Sequence, residues 1–97
     1  MEIDVDFCRP TENGHYKFIR FKNGKYRFLR TNMLLTHEEM AQGSQIISAG
    51  IVDLTDDGFH IRDWSMALDI GWDEKDSENF KRMFQLPEIV KWDKFGD

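Results

Sequence analysis

The sequence predicts an α+β domain, a mixed or antiparallel sheet of five or six strands packed against two short helices. Three observations predict it. Residues Glu2-Ile3-Asp4-Val5-Asp6-Phe7 alternate polar and apolar, the period of a half-buried strand. Asn23-Gly24 and Asp56-Asp57-Gly58 each separate two runs rich in aromatic, β-branched or long side chains, as hairpin turns do. Thr36-His37-Glu38-Glu39 has the form of a capping box, and residues 73–86 carry a helical stripe.

In chain order, the strand at residues 2–7 is followed by a loop punctuated by Arg9-Pro10 and Asn13-Gly14. His15 to Phe21 and Lys25 to Arg30 form a first hairpin, with Asn23-Gly24 accepting the positive φ of a type I′ turn. Strand alternation places its aromatics (Tyr16, Phe18, Phe21, Tyr26 and Phe28) on one core face and its cations on the other face and the edge. Thr36 caps a helix of about two turns that Gly43 ends. Gln45 to Leu54 and Phe59 to Leu68 form a second hairpin. Asp73 or Asp76 caps a second helix reaching Leu86, with Phe80, Met83 and Phe84 buried and Pro87 as the stop. Ile89 to Trp92 is the expected last strand.

A chain of 97 residues fits one domain, 1–97, and its 40% hydrophobic content excludes a wholly disordered chain. No apolar run approaches a membrane span, so no membrane partner is expected. The start Met1-Glu2-Ile3-Asp4 lacks the basic and apolar regions of a secretory signal. One cysteine, Cys8, excludes an internal disulfide framework and reads as a half-buried thiol. A cytoplasmic protein is the expectation. The sequence carries no signal for an oligomeric state.

The net charge of −5 disfavours a broad nucleic-acid surface, yet it hides an asymmetry. Residues 13–37 contain no acid and carry Lys17, Arg20, Lys22, Lys25, Arg27 and Arg30, whereas residues 38–97 hold 14 acids and 6 bases. A segment so basic faces an anion or an acidic surface.

Among chemical groups, His37 falls at the first position of the first helix. Unpaired amides and the helix dipole favour an anion there, and an imidazole beside it has the pKa for general-base or nucleophilic work. The plainer reading is a solvent-facing residue after a cap. His15 opens the second strand, and His60 falls on the wetter sheet face. The three histidines have no ligand spacing, so no metal and no cofactor are expected. Ser65 lacks a nucleophile-elbow motif. Asp56-Asp57 is a turn and not a calcium loop.

These elements, in order as well as type, resemble the Janus/Ocnus family, which includes the small phosphohistidine phosphatases. The similar segments are Ile3-Asp4-Val5-Asp6, His15-Tyr16-Lys17-Phe18-Ile19-Arg20, Thr36-His37-Glu38-Glu39, Ser48-Ala49-Gly50-Ile51 and Trp64-Ser65-Met66-Ala67. They span roughly residues 2–84. The resemblance implies a catalytic imidazole at His37. It also implies a phosphate held by Ser65, the backbone of Ala67 and the helix-start amides of Glu38 and Glu39, with His15 at the position of a family basic residue. Ile51 stands where the family has Arg, so Lys17, Arg20 and Arg62 are the candidate replacement cations. The expected partner is a phosphate-bearing protein or a small phosphate, and nucleic acid is disfavoured. The alternative is a non-enzymatic interaction or regulatory module whose basic hairpin, residues 15–30, docks an acidic partner or nucleic acid.

Overall fold

The computed structural model describes residues 10–31, 36–62, 64–65 and 70–89. The expected first strand at 2–7, Cys8, Ala67 and residues 90–92 of the expected last strand lie outside them. The elements are strands β1 (Gly14–Phe21) and β2 (Tyr26–Arg30), helix α1 (His37–Ala41), and strands β3 (Ile46–Leu54) and β4 (Phe59–Arg62). Short strands β5 (Trp64–Ser65) and β6 (Ile70–Gly71) and helix α2 (Glu74–Phe84) complete the order. The α+β class holds. Among the described residues the main sheet has four antiparallel strands in the order β2-β1-β3-β4, slightly fewer than the five or six expected, and β5 and β6 pair separately. Of the expected strand 59–68, β4 pairs with β3 and Trp64 pairs with Gly71, while residues 63 and 66–68 lie outside the described residues.

The first hairpin is present, but its turn is not type I′. Gly24 alone has a positive φ, 94°, and Asn23 does not. The amide of Gly24 donates to the carbonyl of Phe21 at 2.9 Å, and that of Phe21 donates to Lys25 at 2.8 Å. This is a three-residue loop closed by glycine, the next most favoured hairpin connection.

Register fixes the two faces of the sheet. Tyr16, Phe18 and Arg20 of β1 share a face with Tyr26, Phe28 and Arg30 of β2 and with Ser48, Gly50 and Val52 of β3. Helix α2 covers this face, burying Phe80 and Met83 against Tyr16, Phe18, Tyr26, Phe28, Phe59 and Ile61. The ring of Phe80 meets Phe18 edge-on at 5.0 Å and Phe59 edge-on at 6.0 Å, a preferred aromatic geometry. Full burial of these rings contributes on the order of 1.5–3 kcal/mol each, before conformational entropy is offset.

The other face carries a smaller core of Ile19, Phe21, Met40, Ala41 and Ala49 beneath α1. Phe21 therefore does not join the aromatic face: it is an odd-numbered position, and alternation turns it away from Tyr16 and Phe18. The cations are divided as well. Arg20 and Arg30 lie on the aromatic face, Lys17 and Arg27 on the other. The register between β1 and β3 shifts after Arg20, and Ile47 there is left unpaired and exposed.

Both helices begin as the sequence expects. Thr36 and Glu39 form a reciprocal capping box on α1, and Asp73 and Asp76 form one on α2. Helix α1 is only five residues long, and Gln42, in the left-handed conformation, ends it one residue before Gly43. Helix α2 ends at Phe84 with Gln85 in the same conformation, two residues short of Leu86. The chain after Pro87 returns to the sheet, where Glu88 forms a parallel bridge with Phe59 of β4. The amide of Phe59 donates to Pro87, and that of Ile89 donates back to Phe59 at 2.6 Å.

Candidate functional site

The sheet face that carries α1 collects three of the sequence-predicted residues beside that helix. His15 of β1 stands opposite Asp53 of β3, and Asp53 stands opposite His60 of β4. One step along, Lys17, Ile51 and Arg62 stand in line across the same strands. Directly opposed residues on antiparallel strands project from the same face, so these six side chains share a surface.

Asp53 is the hub. It is fully buried, and its carboxylate accepts three nitrogen donors. Nε of Arg62 donates to Oδ2 at 2.8 Å and Nη2 donates to Oδ1 at 3.2 Å. Nδ1 of His15 meets Oδ1 at 2.5 Å. A buried carboxylate is costly unless paired, and Arg in forked geometry is the strongest common partner. Asp53 was not singled out from the sequence. The signal that could have found it is an acid inside the apolar run Ile51-Val52-Asp53-Leu54.

His37 occupies the first turn of α1 as expected and is half-buried. Its Nε2 lies 2.8 Å from the backbone carbonyl of Gly50, which can only accept, so Nε2 carries the proton. Gly50 neighbours Ile51, which puts His37 at the border of the same face. Gly50 is closely packed: a Cβ there would meet the Arg62 carbonyl at 3.0 Å and the Phe18 ring at 3.1 Å. The helix start is closed by its own side chains. The amide of Glu39 donates to Thr36 Oγ1 at 3.1 Å, and the Glu39 carboxylate accepts the Thr36 amide at 2.8 Å. Glu38 is exposed beside it.

Arg20 is not on this face. Its guanidinium is buried beneath α2, donating to Asp73 at 3.0 Å and lying 3.4 Å from Asp76. Asp76 also accepts from Tyr26 at 2.6 Å and Ser48 at 3.0 Å. Burial pushes the Asp76 carboxyl above its ordinary range, against the pull of these donors. Burial first, and the Asp76 charge second, hold the Tyr26 phenol well above the tyrosine range, so it stays a donor. Ser65 lies in β5, paired with Ile70, and the β5–β6 pair packs beside β3. Ala67 lies outside the described residues. His60 is half-buried on the face opposite Phe59 and Ile61, and its Nδ1 donates to the Ile89 carbonyl at 2.8 Å. Among the described residues, no three His, Cys, Asp or Glu side chains converge as metal ligands, and no helix is long and apolar enough to cross a membrane.

The basic hairpin keeps fewer cations for a partner than its sequence suggests. Arg30 pairs with Glu12 at 2.8 Å and lies over the Tyr16 ring, while Arg27 donates to the Met40 carbonyl at 2.8 Å and lies over Phe21. At the hairpin tip, Phe21, Lys22, Asn23, Lys25, Arg27, Ser44 and Gln45 line an open groove of about 460 Å³ with no acidic side chain.

The chain matches no protein-family model and no curated protein.

Proposed function

We propose that this chain binds a phosphate-bearing ligand on the sheet face that carries His15, Lys17 and Arg62 and hydrolyses its phosphoryl group, in the manner of a small phosphohistidine phosphatase. One observation carries the reading. His15, Lys17 and Arg62, three residues read from the sequence as phosphate or cation positions, stand on one surface with His37 at its border. Lys17 and Arg62 flank Ile51 from either side, so the cations missing at residue 51 are supplied by its neighbours across the strands. The anion sits over the sheet and not at the helix start, because the capping box of α1 engages the Glu39 amide and places two carboxylates there. The resemblance gives His37 the reacting imidazole, which the Gly50 carbonyl orients through Nε2. Turnover of a phosphohistidine peptide above buffer, with phosphate-induced shifts in the NMR signals of His15 and Lys17, is the expected result. No turnover and no shift overturn the reading.

A second reading, a docking module, draws on the groove at the hairpin tip, where Lys22, Lys25 and Arg27 form an acid-free cationic lining. An acidic protein segment suits it better than nucleic acid, given the overall negative charge. Binding of a polyglutamate peptide that weakens steeply with salt and is lost in Lys22→Glu/Lys25→Glu supports docking. Binding unchanged by those substitutions removes it.

A further inference from the structure

Two asparagines, Asn13 and Asn23, precede a glycine. The side-chain amide of asparagine is open to attack by the backbone nitrogen of the next residue, and glycine, which has no Cβ, hinders that approach least. The fold treats the two steps differently. Asn13 is tied across the sheet, its Nδ2 donating to Asp56 Oδ1 at 2.9 Å. Gly14 is the first residue of β1, paired with Leu54 of β3, and a Cβ there would lie 3.4 Å from the Arg30 guanidinium and 3.8 Å from the Tyr16 ring. Attack on Asn13 therefore requires the end of β1 to lift from β3. Asn23 and Gly24 are both exposed in the loop of the first hairpin, and a Cβ at Gly24 would meet nothing within 4 Å. The Gly24 amide donates to the Phe21 carbonyl at 2.9 Å, a bond inside the loop and beyond the last ladder pair, Arg20 with Tyr26. Such a bond opens at far lower cost than a ladder bond in the middle of the sheet. The Oδ1 of Asn23 accepts the Lys25 amide at 3.0 Å. That donor stabilises the negative charge that Oδ1 takes on when Cγ is attacked.

We propose that Asn23 is a site of self-deamidation, whose product places a carboxylate in the cationic groove at the hairpin tip. The Gly24 nitrogen gives its proton to solvent and bonds to Cγ of Asn23. The bond from Cγ to Nδ2 breaks, its electron pair stays on nitrogen, and with a proton from solvent the group leaves as ammonia. Water then attacks either carbonyl of the cyclic imide, and the ring C–N bond breaks with its electron pair going to nitrogen. The products are aspartate and its β-linked isomer at residue 23. Water is the only co-reactant, and nothing is oxidised or reduced. Asn23 lines the groove beside Lys22 and Lys25, and none of the described lining residues is acidic. Conversion adds a negative charge between these two cations, and the β-linked isomer also lengthens the loop backbone. The consequence for binding rests on the docking reading above: the groove loses affinity for an acidic segment as the chain ages.

The test is incubation of the full chain in mildly alkaline buffer, folded and in concentrated urea, followed by peptide mapping with mass spectrometry for the change from amide to acid. In the folded chain Asn23 is expected to convert roughly 10-fold or more faster than Asn13, and urea brings the two rates together. Asn23→Gln removes the conversion at that position and leaves Asn13 as it was. Equal rates at Asn13 and Asn23 in the folded chain, or an Asn23 that converts in urea and not when folded, overturn the site. The binding arm uses a polyglutamate peptide on the parent chain, Asn23→Gln and Asn23→Asp. Asn23→Asp is expected to bind several-fold more weakly than Asn23→Gln at low salt, and the difference shrinks as salt is raised. If the parent binds the peptide and Asn23→Asp binds it equally well, the effect on the groove is overturned. If the parent does not bind it, the docking reading falls, and the peptide map alone decides the modification site.

Discussion

The Tyr26 hydroxyl in β2 donates to the Asp76 carboxylate in α2 at 2.6 Å, and both side chains are fully buried. The same hydroxyl accepts from Asn79 at 3.0 Å, so one oxygen joins the sheet to two turns of the helix. Tyr26→Phe removes a donor from Asp76 and an acceptor from Asn79 while preserving the ring packing. The expected cost is about 1–3 kcal/mol in urea denaturation, with the slope m unchanged.

Asp76 also gives a pH signature. Its folded-state pKa lies above the ordinary value of 3.8 because burial disfavours the charge. The folded state therefore holds this proton more tightly than the unfolded state. The resulting stabilisation is fully present below the unfolded pKa and is lost as pH rises through the raised folded pKa. Asp76→Asn abolishes that dependence. The stability difference between the variant and the parent protein shifts in favour of Asn across this window, and denaturation series at stepped pH measure it.

Gly50→Ala tests how closely the strands approach. The added Cβ would press on the Arg62 carbonyl at 3.0 Å and on the Phe18 ring at 3.1 Å. The Arg62 backbone and the packed Phe18 ring must each give by a few tenths of an ångström, so a loss of about 1–3 kcal/mol is expected. In a domain of this size that corresponds to roughly 4–8 °C in Tm per kcal/mol, read by thermal melting.

Arg20 and Lys17 separate stability from anion binding. Arg20→Met strands Asp76 in the interior and is expected to cost about 3–5 kcal/mol. Lys17→Met is expected to cost less in Tm than Arg20→Met and to weaken the phosphate-induced NMR shift of His15. The reverse pattern would place the anion site on the α2 side.

What was legible in the sequence was local. Thr36 and Glu39, three residues apart, announce their own capping box. Asn23-Gly24 marks a turn even though only Gly24 takes the positive φ. The partners of Arg20 lie 53 residues away in sequence, for Asp73, and only the folded sheet brings them together. Local spacing could say that Lys17 and Arg20 project to opposite faces, but not that α2 covers one of those faces and α1 packs on the other. Aromatic composition groups Phe21 with the other rings, but its parity in β1 turns it to the α1 side. Asp53 looked like one acid at the end of an apolar run, and the cross-strand register is what surrounds it with nitrogen donors.

The return of the chain at residues 87–89 bears on self-association. Glu88 bridges to Phe59, and the Ile89 carbonyl takes Nδ1 of His60, so the Phe59 end of the outer rim of β4 is bonded from within the same molecule. Without those residues, the amides and carbonyls of β4 would form an open template on which another extended chain could polymerise. The returning segment thus caps one end of a strand edge against outside pairing. A truncation ending before Pro87 is the form in which fibrous or swapped assemblies would first be seen.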